Sequence, residues 1–538
     1  MDAEGDHVFW ADDVADRIEA RDIDDPIVIK GGISPSGIPH LGNANEIVLG
    51  YFVAEVLRER GHDVRQVFTT DDRDPLRALP RKLADLDGSI VDLGEVDAAA
   101  LGQNLGKPYT DIPDPFGCCD SYGDHFSTLI QQIADDLHIP IELVSTTELY
   151  ESGALEPVTR QILTREETAR ETLAEFQDKV DASYVPFNPI CGECGKITET
   201  VTDIDIEAGA VTYVCSDLDI GDGTIEGCGH EGTATLRDGK LPWRFEWVAQ
   251  WAHLGVDFEP FGKDHAEGSW PSGVAIAESV VEIDPPEPMV YEWFTFEGEP
   301  FSSSKGHVVL VSEVLELVEP AVLLYFFAKN PSKARDFSID RIDQLVDEFD
   351  ALEEAYFGER TQPEALLERA ERIYPFLVEE IQPDRIRLPY TFAAVLSMTD
   401  DQQLQREIAQ REGHIPESAD EAAITQALER VSKAGEWARR TDNRFNYRLH
   451  RETLPVTSFD APIEAALADV ADVVAQGGNG EEIQGAIFEA AQSRDIDPSE
   501  LFEAGYRLLF DEPTGPKLGP FLAELDREFV IDRLRLEA

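Results

Sequence analysis

The sequence has 538 residues, of which 42% are hydrophobic, and its 108 acidic and 45 basic residues give a formal net charge of −63. Length and apolar content predict a globular protein of two to four domains and exclude a wholly disordered chain. The acids are spread along the whole chain, which favours a protein adapted to molar salt, where the Debye length is only about 3 Å. The longest apolar run, 321–328, is too short to span a bilayer and the N-terminus lacks a secretory pattern, so we expect a cytoplasmic protein without membrane contact.

A glycine-rich segment between two predicted strands organises the first part of the chain. The apolar run 26–29 predicts a buried parallel strand, 41–60 predicts a helix that stops at Gly61, and 64–70 predicts a second strand. This strand–turn–helix–strand order is typical of the start of a doubly wound α/β sheet. The turn opens on a helix N-terminus, where free N–H groups favour phosphate, and His40 adds an imidazole donor there.

Two motifs carry a resemblance to a known family. Residues 35–43, Pro-Ser-Gly-Ile-Pro-His-Leu-Gly-Asn, are similar to the HIGH signature of class I aminoacyl-tRNA synthetases, with Asn43 in place of the final His. Residues 301–306, Phe-Ser-Ser-Ser-Lys-Gly, resemble the KMSKS loop in a variant that keeps one lysine, Lys305. Within that superfamily, the stretches 71–77 and 112–118 look most like class I lysyl-tRNA synthetases of archaeal type.

The resemblance implies ATP-dependent ligation of L-lysine to tRNA(Lys) through a lysyl-adenylate, with release of pyrophosphate and AMP. It implies His40 and Lys305 as catalytic residues that stabilise phosphate charge, with Mg²⁺ accompanying the ATP. The ATP-binding residues that it implies are Pro35, Gly37, His40, Gly42, Asn43, Ser303, Ser304 and Lys305.

The aromatic segment 241–251 and the Gly-Lys-Asp-His segment 262–265 correspond in this family to the amino-acid pocket. By that resemblance Trp243 packs on the lysine side chain and His265 lies near the adenylate. Glu246 and Asp72 are both candidates for the acid that binds the substrate ammonium, a group well held by a carboxylate and an aromatic face. The implied amino-acid-binding residues are Gly32, Ser34, Asp72, Trp243, Glu246, Asp264 and His265.

Four cysteines have the spacing of metal ligands. A CxxC knuckle is followed by two more thiols, which is a zinc-ribbon pattern, and we expect a structural zinc ion without a catalytic role. The expected ligands are Cys191, Cys194, Cys215 and Cys228, with His230 as an alternative to Cys228. Cys118 and Cys119 are adjacent and lack ligand spacing, so we interpret them as packing residues.

Strand patterns fade after about residue 345, and helical patterns dominate the rest of the chain. The resemblance implies that this helical region binds the anticodon. The stretch 437–451 interleaves bases with aromatics, which suits single-stranded RNA but is equally typical of a helix end with snorkelling arginines. The candidate tRNA-binding residues are Arg439, Arg440, Arg444 and Arg448.

Together these patterns predict a Rossmann-like α/β catalytic domain with a zinc-ribbon-like insertion, followed by an all-α anticodon-binding region. The predicted parts are the first part of the catalytic domain at 1–186, the insertion at 187–238, the second catalytic part at 239–305, a connecting, stem-contact region at 306–345 and the helical region at 346–538. We expect a monomer that uses ATP, Mg²⁺ and structural Zn²⁺. Two alternatives remain: a class I synthetase for another amino acid, such as glutamate or arginine, and a zinc-containing RNA-binding paralogue without catalysis.

Overall fold

A five-stranded parallel sheet lies at the centre of the catalytic part of the chain. The computed structural model describes residues 7–21, 23–178, 180–220, 223–301, 307–358, 362–383, 385–451 and 453–537. Across the sheet, the strands follow the order Glu287–Tyr291, Phe258–Gly262, Ile27–Ile33, Val64–Thr70 and Glu142–Ser145. The chain starts in the middle strand, builds the sheet outward on one side, and later builds the other side. The strand order therefore reverses between Ile27–Ile33 and Phe258–Gly262, and the crevice beyond the carboxyl ends of these two strands is where such sheets bind ligands.

The strand Ile27–Ile33 and the helix that follows it carry apolar side chains on nearly all of their faces, which favours burial of both elements. Ile27 and Ile29 are buried in the strand, and the helix Ala44–Glu59 buries most of its residues between the sheet and the rest of the catalytic part. The helix ends where Gly61 adopts a φ of +101°, a conformation that favours glycine. The predicted second strand, 64–70, has the predicted bounds, whereas the first runs on to Ile33 and the helix starts at Ala44.

The helices of the chain and its other short strands have the following bounds. The α-helices are Trp10–Glu19, Ala44–Glu59, Ala98–Gln103, Tyr122–Asp136, Thr146–Glu151, Glu156–Thr164, Glu166–Ala174, Trp243–Leu254, Lys263–Ala266, Ser269–Ile276, Val311–Leu315, Pro320–Ala328, Ile342–Phe357, Glu364–Ile373, Tyr390–Leu396, Gln402–Arg411, Glu421–Thr441, Ala461–Ala475, Gly480–Ser493, Pro498–Phe510, Leu518–Glu524 and Arg527–Leu534. Short strands outside the central sheet are Lys82–Ala84, Ile90–Asp92, Asn188–Pro189, Gly239–Lys240, Phe294–Phe296, Glu299–Pro300 and Arg335–Phe337.

The predicted insertion is a small β-structure. Its antiparallel sheet has the order Glu231–Thr235, Ala210–Val214 and Val201–Asp205. The acid-rich stretch that separates the last two cysteines of the zinc-ribbon pattern contributes a short hairpin, in which Leu218–Asp219 pairs with Thr224–Ile225.

The chain divides into two compact units. The first contains 1–314, 323–338 and 362–379, and the second contains 315–322, 339–361 and 380–538. The helix Glu364–Ile373 thus belongs to the first unit, where Arg372 binds Asp12 at 2.7 Å, although the predicted helical region begins at 346. In the second unit, the described regular structure is helical. The prediction of a parallel α/β fold followed by an all-α region is confirmed.

Candidate active site and metal centres

The glycine-rich turn fixes His40 through its own backbone. Oδ1 of Asn43 accepts the backbone N–H of His40 at 2.9 Å, and Nδ1 of the His40 ring accepts the N–H of Gly42 at 3.1 Å. A Cβ at Gly42 would lie 2.8 Å from this ring, so a larger residue would displace it. Because Nδ1 is an acceptor, the proton of the neutral imidazole is at Nε2.

Burial determines the charge of this imidazole. Desolvation lowers the pKa of His40 to about 4, and Phe301 stacks on the ring with 4.8 Å between centroids. At neutral pH, His40 therefore offers a phosphate an uncharged N–H donor. This geometry supports hydrogen bonding rather than ion pairing as its role.

The same turn leaves room beside its backbone. A Cβ built on Gly37 would have no protein atom within 4 Å, whereas Pro35 is buried. An open position at a glycine allows a ligand to approach the main chain closely. Five of the predicted ATP-binding residues thus lie on one turn at the carboxyl end of the central strand, namely Pro35, Gly37, His40, Gly42 and Asn43. The other three, Ser303, Ser304 and Lys305, lie outside the described residues.

A narrow pocket opens at the point where the strand order reverses. Its volume is about 40 Å³, enough for an ammonium group and one or two water molecules. Four carboxylates and one ammonium group contribute to the lining. The lining residues are Lys30, Gly32, Glu46, Asp71, Trp243, Glu246, Trp247, Gln250, Glu259, Pro260, Phe261 and His265.

Two of these carboxylates are fully engaged by the chain itself. Oε1 of Glu259 accepts hydrogen bonds from Lys30 at 2.8 Å and from the indole of Trp247 at 2.9 Å, and Trp251 donates to Oε2. Buried charges of this kind need such partners. The ion pair of Lys30 with Glu259 therefore forms one wall of the pocket.

Glu246 is held in a similar way. Lys240 donates to its Oε1 at 2.9 Å and the hydroxyl of Tyr150 donates to its Oε2 at 2.8 Å. Lys240 also binds Asp74. Even with Lys240 beside it, burial raises the pKa of Glu246 to about 7.

The other two carboxylates, those of Glu46 and Asp71, form no close ion pair with a described residue, although Lys30 is near enough to both to lower their pKa values, and Lys240 to lower that of Asp71. Glu46 accepts the hydroxyl of Tyr291 at 2.8 Å and the N–H of Gly32 at 3.3 Å, and Asp71 accepts the amide of Gln250 at 3.1 Å. Burial raises the pKa of Glu46 to about 7, and burial with the nearby charge of Asp74 raises that of Asp71 to about 6. The pocket therefore carries negative charge that a bound cation would neutralise.

Asp72, the other acid favoured by the sequence, lies elsewhere. It is buried, and Oδ1 accepts the hydroxyl of Thr146 at 3.1 Å and the N–H of Thr147 at 2.8 Å, while Thr70 donates to Oδ2 at 3.1 Å. Asp72 thus joins the end of a strand to the start of the helix Thr146–Glu151. The structure assigns it a positioning role and brings its neighbour Asp71 into the pocket.

The other predicted pocket residues are distributed around this opening. Trp243 stacks between Trp247 and His265, with centroids 5.0 and 5.3 Å away. Gly32 lines the pocket, and a Cβ there would lie 2.3 Å from Oγ1 of Thr69. Ser34 and Asp264 are outside the lining: Ser34 donates to Asp74 at 3.3 Å, and Asp264 lies 3.4 Å from Nε2 of His265.

Four charged residues of the pocket were not among the site residues predicted from the sequence: Lys30, Glu46, Asp71 and Glu259. Lys30 and Glu259 are single charged residues inside apolar strands, at 27–33 and 258–262. A charge in such a position requires a buried partner, which is the signal that would have found this pair.

The four cysteines of the insertion converge as one group. Sγ of Cys191 lies 3.6 Å from that of Cys228, Sγ of Cys194 lies 3.7 Å from that of Cys215, and all four sulfurs are within 4.8 Å of one another. Zinc at about 2.3 Å from four sulfurs in a tetrahedron requires sulfurs about 3.8 Å apart, so the donor set fits this ion. His230 is not part of the group, and its ring packs near Tyr213.

A second group of metal-binding side chains lies at 114–125. One ligand atom each of Asp114, Cys118, Cys119 and His125 lies within 4.8 Å of the others. Cys118 Sγ is 3.3 Å from Nδ1 of His125, whose Nε2 donates to the carbonyl of Ala84 at 2.9 Å. A backbone bond of that kind leaves the other ring nitrogen available as a ligand. The interpretation of the two cysteines as packing residues is therefore not supported, since Cys118 is exposed and this group could hold a metal.

The four candidate tRNA-binding arginines differ in their surroundings. Arg439 and Arg440 both form ion pairs with Glu436 on their own helix. Arg444 lies over the ring of Phe445, 4.8 Å from its centroid, and Arg448 is exposed. Trp437 is buried and donates to the carbonyl of Ile339, so it provides no stacking surface.

Comparison of the sequence with known proteins shows the family of this chain. The sequence model described as tRNA synthetases class I (K) matches residues 8–377, more than two thirds of the chain. The chain belongs to this family of class I synthetases. Its relatives include proteins named lysine--tRNA ligase from Halobacterium salinarum, 65% identical over 98% of this chain and 97% of the relative, and from Haloarcula marismortui, 64% identical with the same coverage. A lysine--tRNA ligase from Pyrococcus furiosus is 32% identical over 98% of this chain and its own full length.

Membership of the class I (K) family confirms the family predicted from residues 35–43 and 301–306. The two most identical of these relatives come from haloarchaea, in agreement with the halophilic character predicted from the charge. No helix among the described residues is long and apolar enough to cross a membrane.

Proposed function

We propose that this class I (K) synthetase ligates L-lysine to tRNA(Lys) at the expense of ATP. The observation that carries the proposal is the anionic pocket at the reversal point of the sheet, in which four carboxylates face one lysine and neither Asp71 nor Glu46 forms a close ion pair with a described residue. Relatives that align over nearly the whole chain are named lysine--tRNA ligase. Lysine carries an ε-ammonium group in addition to the α-ammonium group that all amino acids have, so the anionic pocket and the name of the relatives point to the same substrate.

In the first step, a carboxylate oxygen of lysine attacks the α-phosphorus of ATP, the bond to the β-phosphate oxygen breaks, and pyrophosphate leaves. ATP enters as its Mg²⁺ complex, which neutralises part of the phosphate charge. The Nε2–H of His40 donates to a phosphate oxygen, and Lys305 adds a positive charge from its loop. Asp71 and Glu46 hold the ammonium, and Trp243 lines the space beside the aliphatic part of the lysine.

In the second step, a terminal ribose hydroxyl of the tRNA attacks the carbonyl carbon of the adenylate, the bond to the phosphate oxygen breaks, and AMP leaves. The helical second unit binds the anticodon, with Arg444 and Arg448 as the candidates that form no ion pair within the described chain. The protein acts as a cytoplasmic monomer. Cys191, Cys194, Cys215 and Cys228 hold a zinc ion that stabilises the insertion.

The pocket argues against the alternative substrates to different degrees. Glutamate would place a third carboxylate beside Asp71 and Glu46, which like-charge repulsion disfavours. Arginine is cationic as well, but its planar guanidinium is larger than an ammonium group, and the pocket has a volume of only about 40 Å³. An RNA-binding paralogue without catalysis would need neither the hydrogen-bonded His40 nor the anionic pocket, which lie at the same crevice of the sheet.

The direct test is aminoacylation of tRNA(Lys) with labelled lysine, glutamate and arginine at high KCl. The proposal requires that tRNA(Lys) is charged with lysine and that this charging depends on ATP. Lys305→Ala should reduce adenylate formation by orders of magnitude, whereas an unchanged rate would remove Lys305 from the mechanism.

A further inference from the structure

Arg335 is a partly buried cation that forms no ion pair with a described residue. It lies in the short strand Arg335–Phe337, which pairs in parallel with Phe294–Phe296 in the first unit. Its Nε atom is buried and has no acceptor, and burial alone lowers the pKa of Arg335 to about 10, so the side chain stays charged at neutral pH. Buried charges normally pair with opposite charges, and a chain with 108 acidic residues could have supplied one here. The unpaired charge therefore requires an explanation other than an ion pair.

Backbone carbonyls and aromatic faces stabilise this guanidinium in place of an acid. Nη1 donates to the carbonyls of Phe326 and Phe327 at 3.3 Å and to that of Lys329 at 3.4 Å. These carbonyls lie at the end of the helix Pro320–Ala328, where the helix dipole is negative. The rings of Phe294 and Phe326 have their centroids 5.7 and 5.4 Å from Cζ, within range of a cation–π contact. The guanidinium is thus held by partial charges, and no full negative charge cancels it.

The other side of the guanidinium contacts the helix that follows the ATP-binding turn. Nη2 donates to Oδ1 of Asn45 at 3.3 Å, and Asn45 is buried in the first turn of the helix Ala44–Glu59. A second connection runs through aromatic rings: Phe294 packs edge-on against Phe301 with 5.3 Å between centroids, and Phe301 stacks on His40. The guanidinium is therefore joined to the turn through the start of its helix and through the ring that covers its histidine.

The turn itself has no formal charge with which to balance a triphosphate. Residues 34–43 contain no lysine or arginine, and burial lowers the pKa of His40 to about 4, so its ring is neutral at pH 7. At molar salt the Debye length is about 3 Å, which screens exposed charges, whereas a partly buried charge is screened much less. At an effective dielectric constant of about 20, two unit charges about 10 Å apart change a dissociation constant by roughly tenfold. A partly buried cation behind this turn therefore favours bound phosphate.

From these contacts we infer that Arg335 is a positioning residue for ATP, which acts through the turn rather than by contact with the nucleotide. Its charge attracts the triphosphate from behind the start of the helix, and its hydrogen bond fixes the side chain of Asn45. The inference rests on the proposed function and adds a cation to the ATP site. A guanidinium that only capped the helix Pro320–Ala328 would contribute to stability and not to affinity for ATP.

The first test separates the charge of Arg335 from its hydrogen bonds. Arg335→Gln and Arg335→Lys both remove the planar fork that binds the carbonyls, but only Arg335→Gln removes the charge. Binding of ATP with Mg²⁺ is measured by calorimetry, without an amino acid, together with the Tm. Both variants should have a lower Tm, whereas the Kd for ATP should rise by about tenfold in Arg335→Gln and stay near the wild-type value in Arg335→Lys. Equal Kd values in the two variants, or a wild-type Kd in Arg335→Gln, would overturn the inference.

A second variant leaves the arginine in place and cancels its charge. Asn45→Asp keeps an acceptor for Nη2 and sets a carboxylate beside the guanidinium. A purely structural role predicts a Tm that is equal or higher and an unchanged Kd for ATP, because the buried cation gains a partner. The inference predicts the same Tm behaviour with a Kd raised by about tenfold or more. A wild-type Kd in Asn45→Asp would overturn it, even if the Arg335 variants do not fold.

Arg372→Gln is the matched control. Arg372 belongs to the same unit, but its charge is already paired with Asp12 and Glu59. Its loss should lower the Tm and leave the Kd for ATP as in the wild type, and a Kd raised as in Arg335→Gln would show that lost stability alone weakens ATP binding. Because ATP binding is measured without an amino acid, failure of the wild type to exchange pyrophosphate into ATP with lysine would overturn the proposed function and leave this comparison valid.

Discussion

Lys240 donates a hydrogen bond to Oε1 of Glu246 at 2.9 Å, in the interior of the catalytic unit. The hydroxyl of Tyr150 occupies the other carboxylate oxygen at 2.8 Å. Glu246 therefore forms part of the pocket wall, and because both of its oxygens already accept hydrogen bonds, it is poorly placed to bind a second ammonium group. Asp71, which accepts a hydrogen bond from Gln250 and makes no ion pair among the described residues, is therefore the better site for the substrate.

Replacing Asp71 tests this assignment directly. Asp71→Asn should raise the KM for lysine by about 30-fold or more, because loss of one partner of a desolvated charge pair costs about 2 kcal/mol or more. The matched control is Asp72→Asn, which changes the adjacent residue in the same way. Since Asp72 bonds to Thr146 and Thr147, that variant should lower the Tm and leave the KM for lysine nearly unchanged. A similar increase in KM in both variants would contradict the assignment.

Affinity for lysine should depend on pH below neutrality. Burial raises the pKa of Asp71 to about 6 and that of Glu46 to about 7, while the substrate ammonium remains charged to about pH 10. The KM for lysine should therefore fall as the pH rises from about 5.5 to 8, because only the ionised carboxyls attract the ammonium. In the empty protein, ionisation of groups whose folded pKa is raised removes stability as the pH rises from about 4 to 7, so lysine should stabilise more at pH 8 than at pH 5.5. A KM that is constant over this range would show that these acids do not bind the ammonium.

Two glycines of the turn should respond to alanine in different ways. Gly42→Ala places a Cβ 2.8 Å from the His40 ring, so it should displace the imidazole and lower the rate of adenylate formation, as should His40→Ala, by about 10²- to 10³-fold. Gly37→Ala meets no protein atom within 4 Å, so it should leave the Tm unchanged and raise the KM for ATP. Because desolvation lowers the pKa of His40 to about 4, the wild-type rate should show no inflection from this histidine near pH 6.5. A wild-type KM for ATP in Gly37→Ala would argue against close approach of the nucleotide to this turn.

Two metal ions per chain are expected from the two groups of ligands. Cys194→Ser should remove one equivalent of zinc and lower the Tm, because the sulfur group is the core of the insertion. His125→Ala should remove the other equivalent and leave the first in place. Metal analysis of the dialysed proteins measures both effects. One equivalent in the wild type that Cys194→Ser removes and His125→Ala does not would restrict metal binding to the four cysteines.

The features that could be predicted from the sequence are those for which a local pattern of residues determines both the structure and the chemistry. The apolar run before Gly31 and the helix up to Gly61 were predicted because buried strands and glycine stops are local features. The residues of the turn were found because their identities form a motif. The same holds for the four cysteines, whose types and spacing restrict the possibilities.

Sequence reasoning was less successful where the role of a residue depends on which of two neighbours enters the pocket, or on a partner that is distant in the chain. Asp71 and Asp72 are neighbours at a strand end, and successive residues there point in different directions, so only the fold shows which one enters the pocket. Lys240 reaches Glu246 from outside the helix Trp243–Leu254, a pairing that no pattern within one element reveals. The group at 114–125 illustrates the same limit, since the adjacent Cys118 and Cys119 become candidate ligands only when the fold brings Asp114 and His125 beside them.

The measurement that tests the account most directly is amino-acid-dependent exchange of pyrophosphate into ATP. It is made without tRNA in about 2 M KCl, where surface charge is screened, and it compares the twenty amino acids. The account predicts exchange with lysine, abolished or strongly weakened by Asp71→Asn and retained by Asp72→Asn. Exchange with a different amino acid, or none in folded wild-type protein, would contradict the assignment of the anionic pocket to lysine.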